Sequence, residues 1–163
     1  MKPDLLVTWI KHTDYPIFRQ NLKRCRSLFG KVIIYFSEHN RFPYFDHFIQ
    51  EACLNDVDVL GDSSILFLDP IETDWSKEDW RNKSTNYMLK YSTSDWVCSI
   101  EQDWFVKDWP KFFNKIDEAR KDNDLVGWMN ETQNPYIHPA CWFIKRDLLK
   151  QVGSDFNPHP EIL

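Results

Sequence analysis

The sequence predicts one α/β domain over residues 1–163, with a mostly parallel central sheet and helices on both faces. Three observations carry that expectation. From Leu5 to Leu60, short apolar runs alternate with helical patterns in the order β-α-β-α-β, the order that builds parallel sheets. The runs are compactly apolar, as strands buried on both faces are. The 163 residues, 42% hydrophobic and 28% charged, have the balance of an ordinary globular domain long enough to bury a core.

Leu5-Leu6-Val7-Thr8-Trp9-Ile10 reads as the first buried strand. Asp14-Tyr15-Pro16 opens a helix, where proline is tolerated because a first-turn amide has no partner to lose. Phe18, Leu22, Cys25 and Phe29 recur at helical spacing, and Gly30 closes the element. Val32-Ile33-Ile34-Tyr35-Phe36 is a second strand. Pro43 opens a second helix, marked by Phe45, Phe48, Ile49, Ala52 and Cys53, and Val57-Asp58-Val59-Leu60 is a short third strand. Right-handed crossovers bring the C-terminal ends of such strands to one edge, where open α/β sheets bind ligands. His12, Glu38 and the loop after Leu60 fall there.

Residues 65–68 fit either a short strand or a buried loop. Ser76-Lys77-Glu78-Asp79 resembles a capping box and leads into a helix to about Tyr91. Trp96-Val97-Cys98-Ser99-Ile100 is the next buried strand, ending at Glu101-Gln102-Asp103. Phe112, Phe113, Ile116 and Ala119 give a further helical face. Later strands fall at Leu125-Val126-Gly127-Trp128-Met129 and Ala140-Cys141-Trp142-Phe143-Ile144, and a short helix runs from Arg146 to Val152, stopped by Gly153. No repeat or linker divides the chain.

The formal charge of −5, without any Lys/Arg-rich run, argues against nucleic acid as a partner. The four cysteines are scattered and form no CxxC pair, and the five histidines show no metal-type spacing, so a zinc site is unsupported. Reduced thiols and a cytoplasmic location are expected. No apolar run reaches membrane-spanning length, and Met1-Lys2-Pro3-Asp4 leads into a strand and does not read as a signal peptide. There is no GxSxG, P-loop or GxGxxG. With only 4 glycines, a glycine loop cannot cradle phosphate here, which favours a metal for that task.

Acid-x-acid triplets occur at Asp56-Val57-Asp58, Glu72-Thr73-Asp74 and Asp122-Asn123-Asp124, each readable as solvated turn residues. Only Glu101-Gln102-Asp103 follows a strongly apolar strand and precedes Trp104-Phe105-Val106. Carboxylates so placed face desolvation and mutual repulsion unless a cation or donor compensates. A hard ion such as Mn²⁺ or Mg²⁺ supplies that compensation, taking one or two carboxylates plus water and phosphate oxygens. At a spacing of two in an extended segment, Glu101 and Asp103 point to the same side.

The stretch from Asp79-Trp80-Arg81-Asn82 through Ser94-Asp95-Trp96 to Glu101-Gln102-Asp103 resembles the central signature of GT-A-fold glycosyltransferases of the family 2 type. Trp142-Phe143-Ile144-Lys145-Arg146-Asp147-Leu148-Leu149 resembles their later strand-plus-helix segment. The resemblance implies a three-layer Rossmann-like domain that takes a nucleotide-diphosphate sugar and Mn²⁺ or Mg²⁺. It implies metal binding by Asp103, with Glu101 assisting or touching the ribose, base recognition by Glu38, a nucleotide contact for Arg81, and a nucleoside cradle at Thr8. The first acid of the D-x-D-like motif is Glu here. The family's acceptor segment follows the Val-Gly turn, where this sequence has only Ser154 to Leu163, which leaves three alternatives: a domain cut short at its C-terminus, a pared-down form of the family, or a domain without catalysis.

Glycosyl transfer needs stabilisation of the leaving diphosphate, an aligned hydroxyl acceptor, on a glycan or glycoconjugate, and usually a base for it. Glu131, after the Trp128-Met129-Asn130 strand end, is the first candidate for the base, followed by His138 and Glu161. Trp104 and Trp128 are candidates to stack on a sugar face, with packing in the core or at its rim as the default role. Two other readings remain open. One is a sugar-phosphate nucleotidyltransferase, disfavoured because Ile10-Lys11-His12-Thr13-Asp14 replaces that class's glycine-rich loop. The other is a non-catalytic nucleotide-sugar or carbohydrate-binding module.

Overall fold

In the computed structural model of the chain, the described residues are 1–9, 15–36, 56, 61–68, 80–101, 104, 106–130 and 136–152. Strand β1 (Asp4–Trp9) is followed by helix α1 (Tyr15–Cys25), a 3-10 turn (Arg26–Leu28) and β2 (Val32–Phe36). Then come β3 (Ile65–Leu68), α2 (Trp80–Leu89), β4 (Trp96–Ile100), α3 (Trp109–Ala119), β5 (Leu125–Asn130), β6 (Tyr136–Lys145) and α4 (Arg146–Val152). The six strands form one sheet in the order β3-β2-β1-β4-β6-β5.

Period-2 alternation divides the core between the two faces. Leu5, Val7, Val32, Ile34, Cys98, Ile100, Cys141 and Phe143 pack on the side that α1 covers with Phe18, Leu22 and Cys25, and α3 with Trp109, Phe113 and Ile116. Leu6, Ile33, Tyr35, Val97, Trp142 and Ile144 pack on the other side, under Met88 and Leu89 of α2 and Leu149 of α4. The result is the three-layer α/β arrangement. Helix α3 is started by Asp108, whose side chain accepts from the Lys111 amide, with proline following in the first turn.

The sheet is more mixed than the sequence suggests. β1 pairs in parallel with β2 and β4, and β2 with β3. β6 runs antiparallel to both β4 and β5. The reason lies in the connection: Met129 pairs with Ile137 and Asn130 with Tyr136, which leaves no chain for the crossover a parallel pair requires. β6 also begins earlier than the apolar run at Ala140. Pro139 hides that start, because proline lacks a ladder donor. It is accommodated where the β5–β6 register shifts, between the Gly127–Trp142 and Met129–Ile137 pairs. Residues 65–68 are a strand, parallel to β2, whereas the strand expected over Val57–Leu60 and the helix after Pro43 lie outside the described residues.

One polar group pins the N-terminal ends of the central strands. The Asp4 side chain is buried, 1% exposed. Its Oδ1 accepts from the Lys31 amide at 2.8 Å; Oδ2 accepts from the Ser92 hydroxyl at 2.8 Å and the amides of Thr93 at 2.9 Å and Ser94 at 3.1 Å. Burial alone would raise its pKa, but hydrogen bonds from the Thr93, Lys31 and Ser94 amides and from Ser92 prevail and hold the carboxyl below its ordinary value. Gly30 leaves room for this group, since a Cβ there would lie 2.8 Å from Asp4 Oδ1. Nearby, Arg26 bonds Asp62 at 2.6 Å and the carbonyls of Phe29 and Gly30.

Candidate functional site at the C-terminal edge of the sheet

The parallel strands β2, β1 and β4 end at one edge, and there the described candidate residues gather. Leu6 is level with Ser99 in the β1–β4 register, so Thr8, two residues on, ends its strand beside the segment that carries Glu101. Thr8 is also level with Tyr35 of β2. Glu101 directly follows β4 and is partly exposed, and its carbonyl accepts from the Trp104 amide at 3.0 Å.

Helix α2 reaches the same edge from the other face. The Ser84 hydroxyl, on a fully buried residue, lies 3.5 Å from Thr8 Oγ1. Arg81 sits one helical turn before Ser84, so the start of α2 stands over the end of β1. His138 lies on β6, three residues before Cys141, the register partner of Ile100. Because β6 is antiparallel to β4, that places it toward the same edge. The structure thus brings together the backbone positions of Thr8, Arg81, Glu101 and His138. Glu38, Asp103, Glu131 and Glu161 lie outside the described residues.

Trp104 packs against the core cluster, edge-on to Phe112 with ring centroids 6.1 Å apart, which is the rim role. Trp128 is on β5. Asp56 departs from the solvated-turn reading. Its side chain is 7% exposed, accepts from the Tyr15 hydroxyl at 2.6 Å and pairs with Arg19, because α1 comes down on it. The buried thiols behave as small hydrophobes: burial pushes Cys25 up to about 12 and Cys98 well above its ordinary value.

A hard divalent ion fits the described donors as far as they go. Glu101 is a partly exposed acid at this edge, and ions of this type need only one or two carboxylates. Among the described residues, no three His, Cys, Asp or Glu side chains gather as a complete ligand set. Sequence reasoning missed Asn21 and Ser84. Asn21 had a signal, a polar residue inside the Phe18–Leu22–Cys25 stripe, and it is 6% exposed.

No family model and no curated protein sequence matches the chain. Solved structures do. A mannosyltransferase, PcManGT from Pyrobaculum calidifontis, solved with GDP-Man and Mn²⁺, matches 94% of this chain and 47% of its own at TM-score 0.63 and 14% identity. HddC from Yersinia pseudotuberculosis matches 97% of this chain and 86% of its own at TM-score 0.62 and 12% identity. TarS of S. aureus (residues 1–349) matches 93% of this chain and 49% of its own at TM-score 0.61 and 13% identity, and has also been solved with UDP-GlcNAc. The chain therefore has the α/β fold of the GT-A type. It spans most of HddC but about half of the two longer proteins. Among the described residues, no helix is long and apolar enough to cross a membrane.

Proposed function

We propose that the protein is a metal-dependent glycosyltransferase that moves a sugar from a nucleotide-diphosphate donor to a hydroxyl of a glycan or glycoconjugate. The observation that carries this reading is the convergence of Thr8, Glu101 and the first turn of α2 at the C-terminal edge of β1 and β4. Open α/β sheets bind their ligands at that edge. The likeness in fold to PcManGT and TarS, solved with GDP-Man and UDP-GlcNAc, supports a sugar nucleotide as the ligand.

In this reading Asp103 holds Mn²⁺ or Mg²⁺, with Glu101 assisting or bonding the ribose. Thr8 flanks the nucleoside, Glu38 reads the base edge, and Arg81 faces the diphosphate. The metal, when bound, neutralises charge developing on the leaving diphosphate. Arg81 adds a cation in the first described turn of α2. Glu131 takes the proton of the acceptor hydroxyl, with His138 and Glu161 as the rival bases. The thiols stay reduced, in keeping with a cytoplasmic setting.

The test is a thermal-shift panel of UDP, GDP, CMP and dTDP with and without Mn²⁺. A ligand at a hundred times its dissociation constant adds about 2.7 kcal/mol. One nucleotide is expected to stabilise the protein only with metal, and Asp103→Ala is expected to abolish that gain. Absence of any metal-dependent gain overturns the reading. Turnover of a nucleoside triphosphate with a sugar phosphate, releasing pyrophosphate, would replace it with nucleotidyl transfer. Metal-dependent binding without sugar-nucleotide hydrolysis or transfer would leave a binding module.

A further inference from the structure

Asn21 lies on the apolar face of α1 and is 6% exposed. A buried amide is costly unless its donor and acceptor are used. Its Nδ2 donates to the Trp104 carbonyl, and the Trp104 amide in turn donates to the Glu101 carbonyl. Glu101 and Trp104, the residues on either side of Gln102-Asp103, are thereby tied to each other and to α1. Asn21, Glu101, Trp104 and Trp109 line one small, partly open cavity. Asn21 Oδ1 is a buried acceptor and Trp109 Nε1 a buried donor, neither with a partner among the described residues.

We propose that Asn21 is a positioning residue for the end of β4, fixing Glu101 and Trp104 against α1 for the binding of metal and nucleotide. This rests on the reading of that strand end as a metal–diphosphate site. The group acts through Trp104 and touches neither metal nor substrate. Residues that orient metal ligands from behind typically change metal affinity 10- to 100-fold when removed.

Two variants remove the donor in different ways: Asn21→Leu fills the apolar face, and Asn21→Asp keeps the shape. In both, the Mn²⁺ concentration for half-maximal nucleotide stabilisation is expected to rise about 10-fold, with metal-free nucleotide shifts unchanged. Amide hydrogen exchange, read without metal or nucleotide, gives the second arm. The Trp104 amide is expected to exchange about 10-fold faster in the variants, while those of Leu22 and Val97 hold their rates. If the natural protein shows no metal-dependent nucleotide binding, the proposed function fails and the exchange arm alone decides the positioning role. A lowered unfolding temperature with neither readout moved assigns Asn21 to packing and overturns the proposal.

Discussion

Strands β1 and β4 carry a carboxylate near each end of their seam, and the two ends are built differently. At the N-terminal edge Asp4 is buried and saturated: four donors from Lys31, Ser92, Thr93 and Ser94 hold it at 2.8–3.1 Å. At the C-terminal edge Glu101 is partly exposed and begins a turn. A buried carboxylate that accepts four hydrogen bonds inside the protein is closed to a ligand, and its work is to fix three chain segments in place. Glu101, at the mouth of the sheet, is in part reached by solvent. Chemistry is therefore to be sought where the protein has left a charge accessible, and stability where it has enclosed one.

The sharpest way to break this contrast is Asp4→Ala. It leaves the buried Ser92 hydroxyl and Ser94 amide, and the part-buried amides of Lys31 and Thr93, without their acceptor, and a loss of about 3–5 kcal/mol is expected in urea unfolding. A smaller effect should appear in acid. Asp4's folded pKa lies below its unfolded value, so its contribution is complete above about pH 4 and is lost as the pH falls through the folded pKa. Asp62, slightly desolvated but held by Ser64 and Arg26, titrates in the same direction. Asp4→Asn should therefore flatten the acid limb of a stability–pH curve without abolishing it. The smallest effect belongs to the other edge. Glu101→Gln should change unfolding free energy by no more than about 0.5 kcal/mol while weakening metal-dependent nucleotide stabilisation. If it destabilises as much as Asp4→Ala, the two ends are not different in kind.

The layers of this fold were legible because strand and helix periods differ. Leu5-Leu6-Val7, Val32–Tyr35 and Val97-Cys98 are apolar on consecutive positions and sit at the buried centre of the sheet. α4 starts at Arg146, where the sequence suggests, while Gly153 lies outside the described residues. Strand direction was less legible, since apolar runs carry no arrow: the reversal at β6 is set by a short connection and masked by Pro139. At the site, an acidic strand end could be read directly. Asn21 and Ser84 could not be assigned, because their partners, Trp104 and Thr8, are distant in sequence and meet only when α1 and α2 dock on the sheet. Asp4, which in sequence is only the acid before an apolar run, acquires its importance from Ser92–Ser94 in the same way.

The strand order also bears on how the chain reaches this state. Leu5 and Cys98 are register partners, yet α1, β2, β3 and α2 all lie between them in the chain. A nascent polypeptide therefore presents β1 with one apolar edge unpaired until β4 has been synthesised, an interval in which that edge is a template for the wrong neighbour. Long-range closure of this kind slows folding. The Asp4 network, which needs Ser92 to Ser94, cannot form until those residues arrive just ahead of β4, so this buried acid offers the emerging chain no protection.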